Sequence, residues 1–134
     1  MLHANSGDIH QAAAAGKVSD IKLLVKSGVS VDEEINAGIT PLMAAAIYDQ
    51  VQSIETLIEL GADVKKRSGS GWTALLYAAD KGKLPAVKSL IGFDSDINAT
   101  LRGGESALIQ ACMKGFSNVA MELINKGIDL STKS

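Results

Sequence analysis

A constant interval of 33 residues organises this sequence from end to end. The interval relates four sets of residues, namely Gly38, Gly71 and Gly104; Thr40, Thr73 and Ser106; Ala45, Ala78 and Ala111; and Leu24, Leu57, Leu90 and Leu123. A fixed period of this size indicates stacked supersecondary units in place of a single globular core. The 134 residues accommodate about four such units, so the sequence predicts a solenoid that presents an extended surface.

The second unit predicts a pair of helices. Thr40 is a good helix N-cap, and Pro41 suits the first helical position, where a missing N–H costs nothing. We expect this helix to end near Tyr48. A second helix is predicted from about 51 to 60, where apolar residues recur with helical spacing, and Gly61 favours the left-handed conformation that ends it. The predicted fold class is therefore an all-α repeat of helix-turn-helix units.

Three segments carry a resemblance to the ankyrin repeat. They are Gly38-Ile39-Thr40-Pro41-Leu42 with Ala45-Ala46, Gly71-Trp72-Thr73-Ala74-Leu75 with Ala78-Ala79, and Gly61-Ala62-Asp63-Val64. The resemblance covers essentially the whole chain and implies an ankyrin-type solenoid, in which each unit has a β-turn finger, two antiparallel helices and a loop. It also implies a concave face built from the fingers and the first helices.

The 33-residue period divides the chain into four repeats. We expect one domain over residues 1–134, with repeats at about 2–34, 35–67, 68–100 and 101–134, and with the first and last repeats acting as caps. Three departures from the family pattern stand out. The usual histidine after the leucine survives only as His10, Asp49 replaces a glycine between helices, and Asp94 replaces a helix-ending glycine.

Composition narrows the partners and the cellular compartments that we expect for the protein. The net charge of −2 gives no basic face, which argues against a nucleic-acid partner. The single cysteine, Cys112, fits a reducing compartment. Its position in the repeat, shared with three alanines, predicts a small buried core residue, with a reactive thiol as the alternative. No apolar run is long enough for a membrane span, and residues 1–7 lack a secretory signal. We expect an intracellular, cytoplasmic monomer without a membrane partner.

Several apparent chemical motifs are better explained by the repeat. The segment 69–74 matches GxGxxA, but no parallel-strand pattern precedes it, so we interpret it as a finger. His3 and His10 cannot form a metal cluster with one distant cysteine, and we expect His10 to bond to a neighbouring loop backbone. Lys65-Lys66-Arg67 is interpreted as a solvated hairpin base, with a localisation signal as the alternative. We predict no metal, no cofactor and no enzyme activity.

One modification site follows from a further resemblance. Asn98 follows Asp96-Ile97, with Leu90 eight residues upstream, and this arrangement resembles the ankyrin-repeat sites of the factor-inhibiting asparaginyl hydroxylase. The alternative is that Asn98 satisfies backbone groups in its turn.

Positions that the repeat does not require are candidates for partner contact. They are Ile39, Ile47, Tyr48, Trp72, Asp80, Lys81, Arg102, Glu105, Met113 and Lys114. Exposed apolar and aromatic residues mark binding sites, so we predict Tyr48 and Trp72 as the anchors of a groove. The alternative is that both rings pack across neighbouring repeats. The charged residues are predicted to form a mixed-charge rim, with solubility as the alternative role.

The resemblance implies a scaffold or adaptor that binds a protein through its concave face. A stoichiometric inhibitor of an enzyme such as a kinase is the first alternative. The second repeat looks regular, however, whereas the four-ankyrin kinase inhibitors are expected to shorten a helix there. A pathogen or symbiont effector is the other alternative.

Overall fold

The computed structural model describes residues 8–93 and 95–126, and these contain eight α-helices. In chain order the helices are α1 Asp8–Ala15, α2 Val18–Lys26, α3 Pro41–Ile47, α4 Val51–Glu59, α5 Ala74–Asp80, α6 Leu84–Gly92, α7 Ala107–Lys114 and α8 Ser117–Asn125. Consecutive helices form four pairs, one for each predicted repeat. Within the same residues, no helix has both the length and the apolar character needed to cross a membrane.

The helices form two layers. The first helices pack in the order α1, α3, α5, α7, the second helices pack in the order α2, α4, α6, α8, and each first helix also packs on its own second helix. Leucines of the 33-residue period fill the space between the layers, as Leu57, Leu90 and Leu123 are fully buried. The described residues contain no β-strand, only isolated bridges such as Ile35–Ile39 at the fingers. The predicted all-α repeat solenoid is confirmed.

The predicted caps begin three of the four first helices. The side-chain oxygens of Thr40, Thr73 and Ser106 accept hydrogen bonds from the N–H of the third residue of α3, α5 and α7, at 3.3, 3.2 and 3.3 Å. Pro41 occupies the first position of α3, as expected. Each cap satisfies a backbone donor that the first turn leaves unpaired, so the position of each helix start follows from the sequence.

Asp49 has a second role that explains why it replaces glycine. Its φ is 59°, in the region where the corresponding Gly16 and Gly82 have φ values of 75° and 70°. A carboxylate is available only because the residue is not glycine, and its Oδ1 accepts a 3.0 Å hydrogen bond from the N–H of Ala86, the third residue of α6. Asp49 therefore caps a helix of the next repeat. The other aspartate substitution, Asp94, lies outside the described residues.

The prediction that Cys112 is buried is wrong. The alanines at its repeat position, Ala13, Ala46 and Ala79, are fully buried because each lies on a helix that the next first helix covers. Cys112 lies on α7, the last first helix that the structure describes, and its side chain is exposed. Ile109 on the same helix is likewise 44% exposed. The capping role of the end repeats stays a prediction.

Candidate interaction surface

An open cleft lies where the second finger meets helices α1 and α3. Its volume is about 690 Å³. Ile39 contributes from the finger, Ile47 and Tyr48 come from the end of α3, and Gln11 comes from α1. The remaining lining residues are His10, Ala14, Glu34, Ile35, Asn36 and Ala44. Three of the predicted contact residues, Ile39, Ile47 and Tyr48, thus share one cleft.

Tyr48 is the most exposed aromatic side chain of this cleft, at 62%. Its backbone is nonetheless fixed, because it caps the C-terminus of α3 and its N–H donates to the carbonyl of Ala44 at 3.2 Å. Tyrosine pairs an apolar ring with a polar hydroxyl and has few side-chain torsions to immobilise. An exposed ring on a rigid helix end can therefore contact a partner at low entropic cost.

His10 holds one wall of the cleft in place through a hydrogen bond. The imidazole is buried, and its Nε2 lies 2.7 Å from the carbonyl oxygen of Ile39. A carbonyl can only accept, so Nε2 carries the proton and donates it. The expectation that His10 bonds to a neighbouring loop backbone is confirmed. The bond holds the second finger against α1 and so fixes one wall of the cleft.

Trp72 lies outside this cleft and has a partner within the protein. It is half-buried and stacks on Tyr77, with ring centroids 5.1 Å apart and an interplanar angle of 24°. The backbone N–H of Trp72 also donates to Ser68 Oγ at 3.2 Å. Packing within the repeat accounts for its position. Partner contact by Trp72 stays a prediction.

Asp80 does not belong to an exposed rim, which corrects the expectation for this residue. It is 9% exposed. Its Oδ1 accepts a 2.9 Å hydrogen bond from Gln110 Nε2 and forms a 3.2 Å ion pair with Lys114 Nζ. Because a buried carboxylate needs compensation of this kind, the three residues form a clamp between α5 and α7. Lys114 is half-exposed, so only its outer part remains available to a partner.

The other predicted contact residues lie on the third and fourth repeats. Lys81 follows α5, and Met113 lies on α7 with 67% of its side chain exposed. Arg102 is exposed on the fourth finger, where Glu105 is half-buried. The structure therefore gathers the apolar candidates of the second repeat in one cleft, and no candidate of the later repeats lines that cleft.

The short basic run 65–67 supports the fingers. Lys66 Nζ forms a 2.9 Å ion pair with Glu34, and this hydrogen-bonded carboxylate raises the pKa of Lys66 above its usual value. Arg67 Nη1 donates to the carbonyls of Gly71 at 2.7 Å and Thr100 at 3.0 Å. The contacts with Glu34 and Thr100 link neighbouring fingers, and the bond to Gly71 lies within the third finger. This agrees with the hairpin-base interpretation; the localisation signal stays untested.

The GxGxxA segment allows the second and third fingers to pack closely against each other. The N–H of Gly69 donates to the carbonyl of Ala37 at 2.7 Å, and a Cβ on Gly69 would lie 2.9 Å from that oxygen. Only glycine fits this contact without a shift. The segment is therefore a finger, as predicted.

Asn98 is exposed in the turn after α6, and its N–H donates to Asp96 Oδ1 at 3.2 Å. In this bond the side chain of Asp96 satisfies the backbone, so a structural role for the Asn98 side chain also stays a prediction. Hydroxylation of Asn98 stays a prediction.

Two contributions to the surface were missed from the sequence. Gln11 lines the Tyr48 cleft, and it occupies the repeat position of Ala44, Tyr77 and Gln110, so the 33-residue interval contained the signal. Arg67 bonds to Thr100, which lies 33 residues later. The sequence identifies Arg67 as a cation, but it does not show that its side chain reaches the backbone of the next finger.

Comparison with known proteins agrees with this architecture. A family model described as ankyrin repeats, in three copies, matches residues 9–100 and 60–134. A search of curated proteins finds no significant match. Among the described residues, no group of three or more His, Cys, Asp or Glu side chains is arranged to hold a metal ion. The helix pairs, the capped first helices and the family match together show that the chain belongs to the ankyrin-repeat family.

Proposed function

We propose that this protein is a non-catalytic scaffold or adaptor that binds a partner protein through its fingers and first helices. Ankyrin repeats are generally protein–protein interaction modules. The observation that carries the proposal is the exposed ring of Tyr48 above the cleft of about 690 Å³. We also propose that the protein acts as a cytoplasmic monomer and needs no cofactor.

The cleft suits an apolar side chain of the partner. Ile39 and Ile47 are half-buried and give it an apolar wall, which Tyr48 extends toward solvent. Glu34 and Asn36 are exposed at its border and offer hydrogen bonds that would orient the bound segment. An apolar centre with a polar border is the arrangement of energetically important contacts in protein interfaces.

Replacement of Tyr48 tests the proposal. Because the ring is exposed and its backbone bond is retained, we expect Tyr48→Ala to change the free energy of unfolding by less than about 0.5 kcal/mol. Loss of an interface anchor should weaken partner binding by about 2 kcal/mol, or roughly 30-fold. The partner is first captured from the native cell by the unmodified protein, and its affinity for each variant is then measured by calorimetry.

Met121→Ala is the matched control. Met121 is 55% exposed, close to the exposure of Tyr48, but it lies on α8 in the layer of second helices. We expect this variant to bind the partner with unchanged affinity. Equal affinity of the Tyr48→Ala and unmodified proteins would rule out the cleft as the binding site.

The captured partner also allows a scaffold to be distinguished from an inhibitor. Helix α3 has seven residues, the same as α5 and one fewer than α1 and α7, so the first helix of the second repeat matches the others to within one residue. This regularity favours the scaffold over an inhibitor of the four-ankyrin kinase type. If the captured partner is an enzyme, its activity is measured in the presence of an equimolar amount of this protein. A scaffold leaves that activity intact, whereas a stoichiometric inhibitor lowers it. A partner from a host cell would instead support the effector.

A further inference from the structure

A second, smaller cavity lies between the third and fourth fingers. Its volume is about 310 Å³, and residues 67–71 and 100–102 line it. The lining includes two arginines, Arg67 and Arg102, and no acidic residue. None of these residues lines the Tyr48 cleft. The cavity is thus an independent, positively charged pocket at the GxGxxA finger.

Arg67 is held in place by two hydrogen bonds to backbone carbonyls. Both of its hydrogen bonds, to the carbonyls of Gly71 and Thr100, come from Nη1. Its Nη2 and Nε have no hydrogen-bond acceptor in the ranges 8–93 and 95–126. A guanidinium has five N–H donors in a rigid fork, so the remaining donors are oriented before any ligand arrives.

The finger also presents a hydroxyl donor. Ser68 Oγ accepts hydrogen bonds from the N–H of Trp72 at 3.2 Å and from the hydroxyl of Tyr77 at 3.1 Å. Both lone pairs of Ser68 Oγ are then in use, so its own proton is directed to Ser70 Oγ, 3.2 Å away. Ser70 acts as the acceptor in this bond and keeps its own proton for an external acceptor.

Arg102 supplies the second charge from the opposite finger. Its side chain is exposed, and it forms no hydrogen bond or ion pair with any residue that the structure describes. The pocket therefore offers two positive charges and donors on Arg67, Ser70 and Arg102. A singly charged carboxylate has only two acceptor oxygens, whereas a phosphoryl group has three and carries up to two negative charges near neutral pH.

We propose that this finger pocket binds the phosphoryl group of a phosphomonoester. The group would receive the free fork of Arg67, the hydroxyl of Ser70 and the guanidinium of Arg102. The same chemistry is offered by a small phosphorylated molecule and by a phosphorylated side chain of a partner protein.

Titration with two phosphate probes tests the proposal. Inorganic phosphate and a phosphoserine peptide are added to the full chain at constant ionic strength, with chloride as the control anion, and amide NMR shifts are recorded. We expect saturable shifts confined to residues 67–72 and 100–102. Tighter binding of the peptide would support a phosphorylated partner side chain, and equal binding would support a small phosphorylated molecule.

Two charge-matched variants make the test specific. Arg102→Gln removes an exposed arginine of the pocket, and we expect it to weaken binding about tenfold or more, as the loss of a charge-assisted hydrogen bond predicts. Lys88→Gln removes the same charge from an exposed residue of α6 and should leave binding unchanged. Non-saturable shifts, or equal weakening in the two variants, would overturn the proposal. The Tyr48→Ala protein should retain phosphate binding, so the result is independent of the partner cleft.

Discussion

At the scale of single residues, Asp49 shows how one position serves two repeats. Its positive φ is uncommon for a residue with a side chain. Asp tolerates this conformation better than most residues, and the carboxylate that comes with it caps α6 at Ala86. The acceptor also lies at the positive end of that helix. A conformational cost within one repeat is thus offset by a bond to its neighbour.

This role predicts an order of stability among Asp49 variants. Asp49→Ala removes the cap and keeps a side chain at positive φ, so we expect the free energy of unfolding to fall by about 2 kcal/mol. Asp49→Gly loses the cap but relieves the backbone, and Asp49→Asn keeps an acceptor, so both should lose less. Urea denaturation gives the three values. An Asp49→Ala protein as stable as Asp49→Gly would contradict this account of the backbone.

Two residues show where the sequence alone could not decide. Cys112 occupies the position of a buried alanine, yet its exposure depends on what covers α7 and not on the repeat pattern. Asp80 looked like a surface charge, but its burial depends on Gln110 and Lys114 of the next repeat. A periodic sequence predicts the environment that a position shares with its equivalents. It does not predict how neighbouring side chains that differ between repeats will pair.

At the scale of elements, small residues set how closely the helices pack. Ala45, Ala78 and Ala111 are fully buried on α3, α5 and α7. The 33-residue period places the same small side chain at this position in three successive first helices. The helix starts were predictable from local sequence, since each capping oxygen and the backbone N–H that donates to it lie three residues apart.

The close packing predicts a strong response to a larger side chain. Ala78→Leu adds three carbons where no space remains, so we expect a loss of about 1–3 kcal/mol in the free energy of unfolding. Ala15→Leu makes the same change at an exposed position of α1, and should stay within about 0.5 kcal/mol of the unmodified protein. Thermal and urea denaturation of both proteins provide the measurement. Similar losses in the two variants would show that helix spacing is not the cause.

At the scale of the whole molecule, the main packing contacts join only neighbouring repeats. Within each layer a helix packs on the one before and the one after it. The side-chain bonds that join repeats follow the same rule, as His10 bonds to Ile39 and Gln50 bonds to Ala14. Stability should then be approximately a sum of repeat terms and nearest-neighbour interface terms.

This arrangement predicts that the effect of a core mutation depends on its place in the stack. Leu57 on α4 and Leu123 on α8 are both fully buried, and each Leu→Ala change should cost its repeat about 2–5 kcal/mol. We expect Leu123→Ala to raise hydrogen exchange mainly in α7 and α8, because among the described residues these helices pack on a single neighbouring repeat and can unfold locally. Leu57→Ala should raise exchange throughout, since it separates the first repeat from the rest. Identical exchange patterns would argue for a single cooperative unit.

The restriction of contacts to neighbours also affects how such a gene can change in length. Asp32 accepts a bond from the N–H of Asp63 across one interface, and Asp49 does so from Ala86 across the next. Duplication or deletion of a whole 33-residue segment would recreate interfaces of a kind already present. An insertion of another size within a helix pair would displace every later cap and buried alanine from its counterpart. Lineages of this protein should therefore tolerate the gain or loss of complete units far better than small insertions inside the helices.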